Sequence, residues 1–154
     1  QVSDLDDLEE RNRSDSPIMV AEDSPLLSKL ITDCLKKSGY TKLIVNNNGQ
    51  ELWDRLCEFR KSGDLDDKVH MVITDIEMPL MDGHRLTKLI KEDDELKHIP
   101  VVIFSSLVNE EMRRKGEMLG ADAQLTKPEI GKLVSAIDDL LDKRKELLEQ
   151  KQMA

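Results

Sequence analysis

The sequence predicts an α/β protein: a doubly wound, five-stranded parallel sheet with five helices, stacked as a three-layer sandwich. Three observations carry that prediction. From Pro17 onward, short apolar runs alternate with segments of helical periodicity, the signature of repeated β-α units. Gly39, Gly63 and Pro128 punctuate those segments, as helix stops and starts do. Acidic or hydroxyl-bearing residues close several of the apolar runs. In an open parallel sheet, ligands gather outside the carboxyl ends of the strands.

Residues 1–16, QVSDLDDLEERNRSDS, are polar and charge-dense, and read as a linker or ragged helix end. The first strand is IMVA (18–21). The first helix follows, with Leu26, Leu27, Leu30, Ile31, Cys34 and Leu35 on one stripe, and it stops at Ser38-Gly39. KLIV (42–45) is the second strand. The second helix runs from Gln50 to Lys61, with Leu52, Trp53, Leu56 and Phe59 inward. VHMVIT (69–74) is the third strand, and the helix after Gly83 turns Leu86, Leu89 and Ile90 inward. PVVIF (100–104) is the fourth strand. The fourth helix, Asn109 to Leu119, has only Met112 and Leu119 as its apolar stripe. The remaining methionines also read as packing. DAQLT (122–126) is the fifth strand. Pro128 suits the first turn of the fifth helix, which carries Ile130, Leu133, Val134, Ile137, Leu140 and Leu141. The folded unit is expected over 17–141, with 142–154 an exposed continuation or fraying tail.

Composition narrows the function. The 154 residues hold 32 acidic and 23 basic side chains, a formal net charge of −9. Nucleic acid and anionic membranes are excluded as direct partners, because both need clustered Lys and Arg to neutralise phosphates. No apolar run reaches the ~18 residues of a membrane span. Cys34 and Cys57 lack metal-ligand spacing and read as buried free thiols in a reducing cytoplasm. His70, His84 and His98 also lack ligand spacing.

The strand ends carry the chemistry. The first strand runs into Glu22-Asp23, the third into Asp75, the fourth into Ser105-Ser106, and the fifth into Thr126-Lys127-Pro128. If the first and third strands are neighbours, three carboxylates meet in one crevice. Crowded like charges are unfavourable unless a hard cation such as Mg²⁺ sits among their oxygens. Asp75 is then a candidate nucleophile, since carboxylates form acyl phosphates. Lys127 supplies a movable positive charge for phosphate, and a cis bond to Pro128 would aim it into the crevice. Ser105 offers a hydroxyl to a phosphoryl oxygen. Either Glu22 or Asp23 is expected to cap the first helix. Glu77 is expected at the pocket rim.

The set Glu22-Asp23, Asp75 within DIEMPLMDG, Ser105 and Lys127-Pro128, spaced over five β-α units, resembles the receiver domain of two-component response regulators. The likeness covers residues 17–141 and implies a flavodoxin-like strand order 2-1-3-4-5. It implies an aspartyl phosphate on Asp75, taken from a histidine kinase phosphohistidine. Mg²⁺ would be held by Asp23, Asp75 and the Glu77 backbone carbonyl, with Glu22 acting through water. Ser105 would be the switch hydroxyl and Lys127 the phosphate-binding lysine. Residues 104–134 are similar to the receiver half of CheV-type chemotaxis coupling proteins. That likeness implies a chemotaxis kinase as donor, and an adaptor domain before the receiver in a longer chain. The non-Met start is in keeping with this. Gln124 departs from the family, which often carries an aromatic residue there, so the usual coupling of ring and hydroxyl is in question. The surface of the fourth helix, fifth strand and fifth helix would change on phosphorylation.

The implied chemistry is self-modification, not substrate turnover. Two other classes compete. An aspartyl-phosphate phosphatase would place an Asp-x-Asp pair on its first strand; here Asp75 lies on the third and Glu77 follows it. A nucleotide-binding flavodoxin-like domain would need a Gly-rich phosphate loop, where this chain has AEDSPLL.

Overall fold

The computed structural model describes residues 12–106, 109–127 and 129–153. Its five strands are β1 (Ile18–Ala21), β2 (Leu43–Asn46), β3 (Met71–Thr74), β4 (Val101–Ser105) and β5 (Ala123–Thr126). All pairings are parallel, and the order across the sheet is β2-β1-β3-β4-β5. The expected five-stranded, doubly wound fold is present, with strand bounds displaced by at most two residues. The helices are α1 (Pro25–Lys37), α2 (Gly49–Lys61), α3 (Gly83–Glu92), α4 (Glu110–Leu119) and α5 (Ile130–Met153). Two single turns lie outside that series, Arg13–Asp15 and Leu65–Lys68.

Alternation along each strand sends side chains to opposite faces, and here it splits the core in two. Ile18 and Val20 face the layer of α1 and α5, where they pack with Ile31, Leu35, Tyr40, Leu133 and Ile137. Met19 and Ala21 face the other layer, with Leu52, Leu56, Leu86 and Ile90. The central strands β1, β3 and β4 are buried along their whole length, as parallel strands covered on both faces must be.

Four expectations change. Leu26 and Leu30 do not face inward: they are 77% and 52% exposed, while Ile31 and Leu35 are buried. Neither Glu22 nor Asp23 caps α1. Ser24 does so, its hydroxyl accepting from Leu27 N at 3.3 Å. Cys34 and Cys57 are free but only partly buried, and Met118 is solvent-exposed rather than packed. Of the two readings of the tail, the described residues follow the continuation, with α5 running unbroken to Met153. The expected cis Lys127-Pro128 bond lies outside the described residues.

Asn48, Asp82 and Asn109 cap α2, α3 and α4 through side-chain oxygens. The α3 cap places the helix directly behind the β3 end. Gly83 N donates to Ile76 O at 2.8 Å.

Candidate functional site

The carboxyl ends of β1 and β3 lie side by side because Ala21 pairs with Thr74. The next residues are Glu22-Asp23 on one strand and Asp75 on the other. One carboxylate oxygen from each of Glu22, Asp23 and Asp75 lies within 4.8 Å of the other two. The backbone fixes their heights: Asp75 N donates to Ala21 O at 3.1 Å, and Glu22 N donates to Asn46 O at 3.0 Å.

Lys127 reaches this cluster from the end of β5. Its Nζ donates to Asp75 Oδ2 at 3.1 Å and to Glu22 Oε1. The ammonium thus bridges two of the three carboxylates and offsets their mutual repulsion. It also stands 6.0 Å from the centroid of the Phe104 ring. The other oxygen of Asp75, Oδ1, accepts from Ile76 N at 2.7 Å. Both oxygens of this carboxylate are therefore oriented by named donors.

The three acids sit in different surroundings. Glu22 is 2% exposed, and burial pushes its carboxyl above the ordinary glutamate range, while Lys127 and Ser24 N pull it back. Asp75 is half-buried, and Asp23 is exposed with no ion pair among the described residues. A hard cation would find Glu22 and Asp75 shared with Lys127, and Asp23 exposed beside them. This all-oxygen donor set fits Mg²⁺ and suits neither soft thiolate nor imidazole metals.

Ser105 is fully buried at the end of β4, opposite Thr126 of β5. Lys127 N donates to Ser105 O at 3.0 Å, which ties the lysine's backbone to that strand end. Glu77 is exposed, at the rim as the sequence suggests. Gln124 lies farther back on β5, with its amide against α4. Its Nε2 donates to Arg113 O at 2.9 Å, and it occupies the space left by the missing side chain of Gly116.

Sequence reasoning paired Lys127 with phosphate and left its Glu22 contact unseen. The signal was available: a buried glutamate at a strand end needs a cation. The role of Gly83 was also unseen. A Cβ there would stand 1.9 Å from Asp75 O, so only glycine lets α3 approach the acidic strand end.

The model of the response regulator receiver domain matches residues 18–138. The chain belongs to that family. Receiver domains are phosphoacceptor modules of two-component signalling rather than enzymes that turn over a substrate. They bind Mg²⁺ at an acidic site and work with histidine kinases, and this receiver carries the acidic triad Glu22, Asp23 and Asp75. It is 35% identical over 114 residues to the polar-differentiation response regulator DivK of Brucella anthropi, covering 72% of this chain and 83% of that protein. It is 38% identical over 136 residues to the chemotaxis protein CheV2 of Helicobacter pylori, covering 84% of this chain but 41% of CheV2. The chain thus spans about two fifths of that longer relative. Among solved structures, the receiver domain of a signal transduction histidine kinase from Syntrophus aciditrophicus superposes with a TM-score of 0.71. The two are 28% identical, and the match covers 83% of this chain and 91% of the other. Among the described residues no helix is long and apolar enough to cross a membrane.

Proposed function

We propose that Asp75 of this receiver accepts a phosphoryl group from a kinase phosphohistidine and that the modification changes a partner-binding surface. The observation that carries this reading is the contact of Lys127 with Asp75 beside Glu22 and Asp23. In the transfer, a carboxylate oxygen of Asp75 forms the new O–P bond as the N–P bond of the phosphohistidine breaks. The electron pair of that bond leaves on the imidazole nitrogen. Ile76 N holds one Asp75 oxygen in place, and Lys127 meets the charge that arrives with the phosphoryl oxygens. Ser105 supplies the hydroxyl that marks the modified state. Mg²⁺ would be held by Asp23, Asp75 and the Glu77 carbonyl, with Glu22 acting through water; when bound, it supplies charge neutralisation for the phosphoryl oxygens.

The likeness to CheV2 supports a chemotaxis kinase as donor, and an adaptor domain ahead of this receiver in a longer protein. We place the receiver at 17–141, with 142–154 as a helical appendage and 1–16 as an N-terminal extension whose Arg13 is anchored on Asp138. The likeness to DivK favours a second reading, a receiver serving another regulator. Phosphotransfer rates from a chemotaxis kinase and from an unrelated histidine kinase separate the two: the CheV-type reading requires the chemotaxis kinase to be faster.

The test of the site itself is intact mass after incubation with a small phosphodonor and Mg²⁺. One phosphoryl group is expected on the natural chain, none on Asp75→Asn, and none after chelation with EDTA. A phosphorylated Asp75→Asn chain would move the acceptor elsewhere. Labelling unaffected by EDTA would overturn the metal assignment.

A further inference from the structure

Behind the acidic strand ends, α3 and α4 enclose an open groove of about 330 Å³. His84, Arg85 and Lys88 line it from α3, and Lys115 and Leu119 from α4. His84 is 5% exposed, yet its Nε2 is buried without a hydrogen-bond partner. A buried imidazole nitrogen left unpaired costs about 1–3 kcal/mol, so a side chain lining the groove carries an unsatisfied polar atom that a ligand could pair once the ring turns.

The charged side chains that line the groove are mostly basic. Arg85, Lys88, Arg114 and Lys115 are exposed and make no ion pair among the described residues. Asp82 is the one acid on the groove's lining, and its Oδ1 is engaged in capping α3, accepting from Arg85 N at 2.7 Å. Elsewhere the chain is acidic, with a net charge of −9. The lining of this groove therefore carries three cations, Arg85, Lys88 and Lys115, against one acid already engaged in a cap, a local reversal of sign. Apolar surface adjoins them. Met118 is 87% exposed, and a second shallow groove lined by Glu111, Arg114, Lys115, Met118 and Leu119 runs along the outer side of α4.

From this juxtaposition we propose that the α3–α4 groove docks an acidic, leucine-bearing segment of a partner protein. A carboxylate of that segment would accept from His84 Nε2–H, its neighbours would pair with Lys88 and Lys115, and its apolar side chains would cover Leu119 and Met118. A neutral imidazole suffices as donor, and the desolvation and Lys115 charge that disfavour protonation of His84 leave it neutral. The site uses none of the residues assigned to phosphoryl transfer. Its test therefore stands or fails independently of the Asp75 reading.

The experiment uses the full chain and a fluorescein-labelled peptide of sequence EELEELEE, with binding read by anisotropy at 50 mM salt. Lys88→Glu with Lys115→Glu, both at exposed positions, is expected to weaken binding at least tenfold. The control pair Lys61→Glu with Lys68→Glu, also exposed and of equal charge change, is expected to alter it less than twofold. In amide spectra, peptide-induced shifts are expected at His84, Lys88, Lys115 and Leu119. Equal weakening by both pairs would reduce the effect to overall charge and overturn the proposal. So would the absence of binding, shifts centred on Asp23 and Asp75, or tighter binding of a single-stranded oligonucleotide than of the peptide.

Discussion

A Cβ added to Gly83 would lie 1.9 Å from Asp75 O, whereas one added to Gly116 would lie 2.2 Å from Gln124 Oε1. The two distances are similar and their consequences are not. The first neighbour is backbone, fixed between β3 and α3, and cannot yield without moving the acidic strand end. The second is the tip of a flexible side chain. Gly83→Ala is therefore expected to destabilise by roughly 3 kcal/mol, lowering Tm by about 10 °C, and to slow phosphorylation. Gly116→Ala is expected to cost about 1 kcal/mol, the loss of the Gln124 bond to Arg113 O. Thermal unfolding of both variants checks the ordering, and equal losses would refute it. At this scale the acidic residues of the site were legible in the sequence, because Glu22-Asp23 and Asp75 each end an apolar run. The partners that orient them were not. Lys127 meeting Glu22 and Gly83 meeting Asp75 are contacts between distant strands and helices, which local patterns do not encode.

Between elements, the N-terminal turn Arg13–Asp15 is tied to α5 by a compact polar cluster. Arg13 donates to both oxygens of Asp138, at 3.1 and 2.8 Å, and to Ser38 O at 3.1 Å. The Tyr40 hydroxyl also donates to Asp138, and the Arg13 guanidinium stands 5.8 Å from the Tyr40 ring centroid. Burial and Asp138 together push the Tyr40 hydroxyl well above its ordinary range. Arg13→Ala leaves Asp138 and Ser38 O without this donor, and is expected to cost about 2 kcal/mol with phosphorylation of Asp75 unchanged. Urea unfolding and the intact-mass assay measure the two halves of that statement. Reading residues 1–16 as linker missed this cluster, since a lone arginine in a polar run carries no local sign of its partner. The helices themselves were legible because their apolar periods are strong. The α1 stripe was overdrawn: Leu26 and Leu30 share its periodicity, but they stand on the side that no layer covers.

For the molecule as a whole, pH is a lever on stability through two histidines, His70 just before β3 and His84 on α3. Burial lowers both His70 and His84 below the ordinary 6.5. For His84, the Lys115 charge adds to that lowering while Asp82 opposes it. For His70, Arg144 adds to it while Asp66 and Asp67 oppose it. A depressed histidine binds its proton more readily unfolded than folded. Its contribution is fully present above about 6.5 and is lost as pH falls through that value towards the lower folded-state one. Stability is therefore expected to fall between pH 7.5 and 5.5, with a smaller fall in His84→Gln. Urea midpoints at the two pH values test this, and a flat profile would contradict it. The whole-molecule outline was legible from the alternation of strands and helices. The unbroken length of α5 was not, because DKRKELLEQ is as compatible with a frayed end as with a rigid one. That length has a mechanical meaning. Twenty-four helical residues make a rod of about 36 Å, whose first turn stands close to the lysine that touches Asp75. A tilt of about 5° at that end would carry the far tip roughly 3 Å, so α5 is proportioned as a pointer that amplifies small movements at the acidic crevice.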